Sequence, residues 1–156
     1  SMVINREGQK ALARALRYLS ARPRSEAEIE KRLLMDHNRD VVNRTIKYLR
    51  AEGLVDDNSF AQAWVRSRIE YRPRSAALIR KELAMKGVNR TIYNEVTSDL
   101  DDGESAYNLV TRKLHSSSFS NYSEFYTKVR RYLTGKGFTY GVISHTAHRC
   151  WDESRK

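Results

Sequence analysis

The sequence predicts an all-α chain of nine helices in three tandem three-helix units, and three observations carry that expectation. Only two prolines and seven glycines fall among 156 residues, so breakers are scarce. Apolar residues recur at spacings of three and four, the period of a helix that buries one face. The pattern then repeats: Pro23, Arg24 and Ser25 return as Pro73, Arg74 and Ser75, and Ile29 and Leu33 as Ile79 and Leu83, at an offset of 50. Repeats of this length mark supersecondary units that bury their faces on one another.

The first unit spans roughly 6–53. Leu12, Ala15, Leu16 and Leu19 form its first stripe. Ser25 and Glu28 read as a capping box, in which hydroxyl and carboxylate satisfy free N–H groups at a helix start, and a helix from Glu26 to about Met35 follows. Val42, Ile46 and Leu49 make the third stripe, ended by Gly53 as a left-handed cap. The second unit, 58–98, opens on Phe60, Ala61, Trp64 and Val65. Ser75 caps its second helix, Gly87 ends that helix, and Asn89 caps the third.

The third unit, 103–152, has a first helix near Ser105–Leu114, then the stretch HSSSFSNYS, whose hydroxyl and amide groups compete with the backbone and favour a loop. Val129 and Leu133 continue the register of Ile79 and Leu83, and Lys136–Gly137 that of Lys86–Gly87. Val42–Ile46 also returns as Val88–Ile92, at an offset of 46; the turn before the third helix is shorter in the second unit. Asp99, Asp101, Asp102 and Glu104 read as a solvated linker that supplies negative charge to the next helix.

Charge narrows the function. Lys and Arg number 29 against 19 Asp and Glu, a net +10, which suits an acidic partner such as nucleic acid. The excess rises toward the C-terminus: residues 108–156 hold 9 basic and 3 acidic side chains. No apolar run approaches the ~20 residues of a membrane span, the N-terminus lacks a signal-peptide core, and Ser1 before Met2 reads as a cloning remnant. A lone cysteine, Cys150, excludes an internal disulfide and fits a reducing compartment. The expectation is a cytoplasmic protein with no membrane partner.

The basic residues of most interest flank the two prolines: Arg22 and Arg24, Arg72 and Arg74. Proline stiffens each turn and sets two guanidinium forks beside a helix N-terminus, a combination that suits phosphate or carboxylate. The motif can equally recur because the turn geometry recurs. Arg130 and Arg131 occupy the places of Arg80 and Lys81, facing outward on successive units. With Arg66, Arg68, Lys86 and Lys136 these complete the candidate partner- or nucleic-acid-binding set. Fifteen aromatic residues include nine tyrosines, open to base stacking or to packing; Phe60, Trp64 and Trp151 read as packing.

Catalysis finds little support. His145, His148 and Cys150 cluster near Asp152 without a full set of zinc ligands, and His37 and His115 have no nucleophile nearby. Nucleotide-binding and hydrolase signatures are absent, as is an acidic cluster for a metal-dependent nuclease. No catalytic residue, metal or cofactor is expected. One alternative from the helix lengths is a tandem helix-turn-helix DNA binder.

Asp56-Asp57-Asn58-Ser59-Phe60-Ala61, the repeated R-P-R-S and the K-G pair at Lys86–Gly87, in this order within three basic three-helix units, resemble the RecX family of bacterial RecA regulators. The resemblance covers about residues 10–151, with the third unit departing most. It implies an elongated, curved, monomeric protein that lies in the helical groove of the RecA filament on DNA, single-stranded or duplex, contacted directly or through RecA. It further implies lowered RecA ATPase, strand exchange and coprotease activity, a role in recombination, repair and the SOS response.

Overall fold

In a computed structural model the structure describes residues 5–115 and 117–156. Residues 1–4, which include Ser1, and Ser116 of the Ser-rich loop lie outside the described residues. Among the described residues there are nine helices and no strand: α1 Arg6–Ala21, α2 Glu26–Leu33, α3 Arg39–Ala51, α4 Asp57–Tyr71, α5 Ala76–Met85, α6 Arg90–Val96, α7 Asp102–Leu114, α8 Tyr122–Thr134 and α9 Tyr140–Ser154.

The helices start where short polar side chains meet free N–H groups. Asn5, Asn38, Asp101, Asn121 and Thr139 each accept from the N–H three residues on. Ser25 and Glu28 form the reciprocal capping box that their spacing predicts. Ser75 Oγ accepts from Leu78 N at 3.0 Å, and Asn89 Oδ1 from Thr91 N at 2.8 Å. Gly53, Gly87 and Gly137 carry the positive φ, 70°, 78° and 87°, of left-handed helix ends.

Two boundaries differ from the sequence expectation. Helix α2 stops at Leu33 instead of near Met35, because Met35, Asp36 and His37 turn back to bond carbonyls of the last turn. Helix α7 begins at Asp102, three residues before Ser105, because Asp101 is itself the cap.

The described residues form two compact units, one of residues 5–64 and 82–96, the other of residues 65–81, 97–115 and 117–156. In the first, α1, α2 and α3 bury Ala15, Ile29, Leu33, Val42, Ile46 and Leu49 together with Val55. In the second, α7, α8 and α9 bury Leu109, Val110, Phe125, Val129, Leu133, Ile143 and Ala147, with Tyr122, Tyr126 and Trp151 packed against them. The repeat register is exact at its core positions: Ile29, Ile79 and Val129, and Leu33, Leu83 and Leu133, are all 0% exposed. Each large aliphatic side chain so placed contributes about 1.5–3 kcal/mol of burial. No helix of the described residues is long and apolar enough to cross a membrane.

Candidate functional site

The repeated motifs meet one another inside each compact unit. In the first, the Ser25 hydroxyl accepts from Glu28 N at 3.1 Å and donates to the Lys86 carbonyl at 2.6 Å. Asp57 Oδ1 accepts the Glu26 N–H at 2.9 Å, while Arg50 pairs with the Glu26 carboxylate. In the second unit Ser75 N–H donates to the Lys136 carbonyl at 2.9 Å, and Asp102 Oδ1 accepts the Ala76 N–H at 2.9 Å. R-P-R-S, K-G and the acidic residue are therefore three parts of one joint, used twice. Asp102 thus belongs to this joint, whereas the sequence had placed it in a solvated linker.

The two joints differ in one residue. Glu28 gathers Arg22 Nη2 at 2.9 Å and Lys86 Nζ at 3.1 Å, and its other oxygen takes the Ser25 N–H at 3.0 Å. Fifty residues on, the equivalent of Glu28 is Leu78. With no carboxylate to receive it, the Ser75 N–H turns to the Lys136 carbonyl. The cations equivalent to Arg22 and Lys86, which are Arg72 and Lys136, lose the acid that neutralises the first pair.

Burial would raise the Glu28 pKa, but the Ser25 N–H, Arg22 and Lys86 outweigh it and hold the carboxyl below its ordinary 4.5. A folded value below the unfolded one means the stabilisation is complete above about pH 4.5 and is lost as pH falls through the lower folded value. In urea unfolding, the midpoint advantage of the native chain over Glu28→Gln is expected to be present at pH 7 and to shrink as the pH falls below the ordinary 4.5.

In the second unit Arg72 and Lys136 line a groove of about 500 Å³. Its walls are Tyr71, Arg72, Pro73 and Arg74 from the turn before α5, Leu109, Arg112 and Lys113 from α7, and Tyr132 and Lys136 from α8. Five cations and, among the described residues, no carboxylate line it. Lys113 and Lys136 lie 5.7 and 5.0 Å from the centre of the Tyr132 ring. Burial, Arg74 and Lys113 together push the Lys136 ammonium below its ordinary pKa of 10.5.

The other sequence-predicted cations scatter. Arg24 stacks on Tyr18 at 3.8 Å and donates to its carbonyl, so with Arg22 it is engaged within the first unit. Lys86, besides Glu28, sits 5.4 Å over the Trp64 ring. Arg80, expected to face outward, is half-buried and donates to Thr97 Oγ1 at 3.3 Å. Arg66, Lys81, Arg130 and Arg131 are exposed, Arg68 half-buried. The groove brings together Arg72, Arg74 and Lys136; Arg112 and Lys113 were missed, since α7 carries no copy of the R-P-R-S motif.

The histidine and cysteine cluster does not assemble a metal site. His148 stacks on Tyr122 at 4.9 Å, His145 is exposed, and burial pushes the Cys150 thiol up to about 11. No group of three or more His, Cys, Asp or Glu among the described residues can hold a metal ion. Phe60 and Trp64 stack at 5.9 Å, and Trp151 packs on Tyr122 and Phe125, as packing residues do.

Short capped helices built on repeated joints define a tandem three-helix protein. Residues 11–49 match the family model of the first three-helix domain of RecX, and residues 56–96 that of the second. The chain is 30% identical to a regulatory protein RecX of Corynebacterium efficiens, covering 98% of this chain and 79% of that one. It is 36% identical to one of a Mycobacterium species, covering 84% and 73%. The chain belongs to the RecX family. Its fold matches a crystal structure of RecX from Lactobacillus salivarius at TM-score 0.78 and 24% identity, covering 92% of this chain and 96% of that one. A second crystal structure, of a regulatory protein RecX, matches at 0.74 and 28%, covering 90% and 72%.

Proposed function

We propose that this protein regulates RecA, binding the RecA–DNA filament in its helical groove and lowering ATP hydrolysis, strand exchange and coprotease activity. The observation that carries the reading is membership of the RecX family, whose members are named regulatory proteins. The protein acts in the cytoplasm, as a monomer, without a cofactor and without catalysis of its own. Regulation needs no active site: a protein that bridges adjacent RecA subunits couples their positions, and hydrolysis at a subunit interface depends on those positions.

A repeated basic surface suits a repeated partner. Exposed Arg66, Lys81, Arg130 and Arg131 supply that surface, together with Arg72 at the groove. In the tandem helix-turn-helix alternative α3 would meet DNA through exposed arginines such as Arg39 and Arg44, which pair at the surface with Glu30 and Asp40, and that reading leaves RecA unaffected. The test is DNA-dependent ATP hydrolysis by the cognate RecA, titrated with this protein.

A further inference from the structure

We propose that the groove between the Tyr71–Arg74 turn, α7 and α8 binds the backbone of single-stranded nucleic acid directly, with Arg72, Arg112, Lys113 and Lys136 on phosphates and Tyr71 under a base. It goes beyond the filament reading and holds in the absence of RecA.

The chemistry of the lining selects an anion. Arg72, Arg112, Lys113 and Lys136 have no carboxylate partner among the described residues, whereas the corresponding cations of the first joint, Arg22 and Lys86, share Glu28. The difference is encoded in the helix that follows each R-P-R-S: Glu26, Glu28 and Glu30 become Ala76, Leu78 and Arg80. Ordinary surface cations interleave with acids, and here three acids are removed from one repeat while its cations are kept. Burial first, and then the neighbouring Arg74 and Lys113, disfavour the charged form of Lys136, and a phosphate oxygen beside it would favour that form. Arginine forks and lysine ammonium groups together fit the oxygens of successive phosphodiesters.

The aromatic ring selects a strand over an acidic peptide. Tyr71 is 74% exposed at the groove's edge, beside Arg72. A large exposed ring next to guanidinium groups is the arrangement on which unpaired bases stack without regard to sequence. Duplex DNA offers its phosphates to the same cations but no free base face to Tyr71. An acidic peptide would find the cations, but only Pro73 and Leu109 as aliphatic partners.

The test is fluorescence anisotropy of the full chain, without RecA, using labelled oligothymidylate of about 20 nucleotides, the matching duplex and poly-glutamate at several salt concentrations. Arg112→Glu with Lys113→Glu is expected to weaken oligothymidylate binding about tenfold or more at low salt and to lower the salt slope by about 1.4. Arg17→Glu with Lys47→Glu, the same charge change at exposed positions outside the groove, is expected to weaken it at most about threefold through the net charge. Tyr71→Ala is expected to lower affinity for the single strand about fivefold while leaving the duplex unchanged. Circular dichroism of each variant confirms native helix content. Equal losses from both charge-reversed pairs, or poly-glutamate binding as tightly as oligothymidylate, overturn the proposal. An unchanged ATPase titration with intact oligothymidylate binding would count against the filament reading alone, and the reverse against the groove alone.

Discussion

Replacing Gly87 with alanine is expected to lower the thermal midpoint by roughly 6–12 °C, corresponding to about 3 kcal/mol in a chain of this size. Two costs combine. Gly87 has φ +78°, where a Cβ costs about 1–2 kcal/mol. A Cβ added there would also lie 2.3 Å from the Cβ of Ala27, a short rigid side chain with no rotamer to escape into, and such overlap costs about 1–3 kcal/mol. Gly53 separates the two, because it has φ +70° and nothing within 4 Å of an added Cβ. Gly53→Ala is expected to cost only the backbone part, about 2–8 °C. Ala27→Gly introduced with Gly87→Ala should recover the overlap part and leave the backbone part, so that urea midpoints around the four-variant cycle reveal a coupling. Equal losses at Gly53 and Gly87 would show that the K-G pair ends a helix and does nothing at the joint.

Leu78→Glu is expected to close the groove. Glu28 in the first joint draws in Arg22 and Lys86, and a carboxylate at the equivalent position of the second joint has Arg72 and Lys136 as its counterparts. The helix start gains a capping box with Ser75, whose Oγ already accepts the Leu78 N–H. Affinity for oligothymidylate at low salt should fall roughly tenfold, about 1.4 kcal/mol, because two phosphate-binding cations are neutralised internally. Leu78 is half-buried, so the substitution exchanges some apolar contact for two ion pairs, and thermal stability should change little. Undiminished affinity, with the fold intact by circular dichroism, would show that Arg72 and Lys136 do not act through this groove.

These two joints also explain how much was legible beforehand. The helices were, because apolar spacing, caps and glycine stops all point to the same elements, and because Ile29, Ile79 and Val129 hold one register through three repeats. What the repeat hid was partnership across sequence distance. Ser25 meets Lys86, 61 residues away, and no local pattern announces that contact. Arg22 and Arg72 look alike in the sequence but live differently: Glu28 neutralises the first, and Leu78 leaves the second open. The signal was present in the change from Glu26, Glu28 and Glu30 to Ala76, Leu78 and Arg80, visible only when repeats are compared for what they lose. Arg112 and Lys113 escaped for another reason. They lie on α7, outside the repeated motif, and only the fold brings them beside Lys136.

The central claim is that this protein controls RecA by binding its filament. The most direct measurement is the rate of DNA-dependent ATP hydrolysis by the cognate RecA as this protein is added at increasing ratios. The account predicts suppression at well below one copy per RecA subunit, since a bridging protein acts on more subunits than it touches. Unchanged hydrolysis, with this protein bound only to the naked DNA in the same reaction, would contradict it.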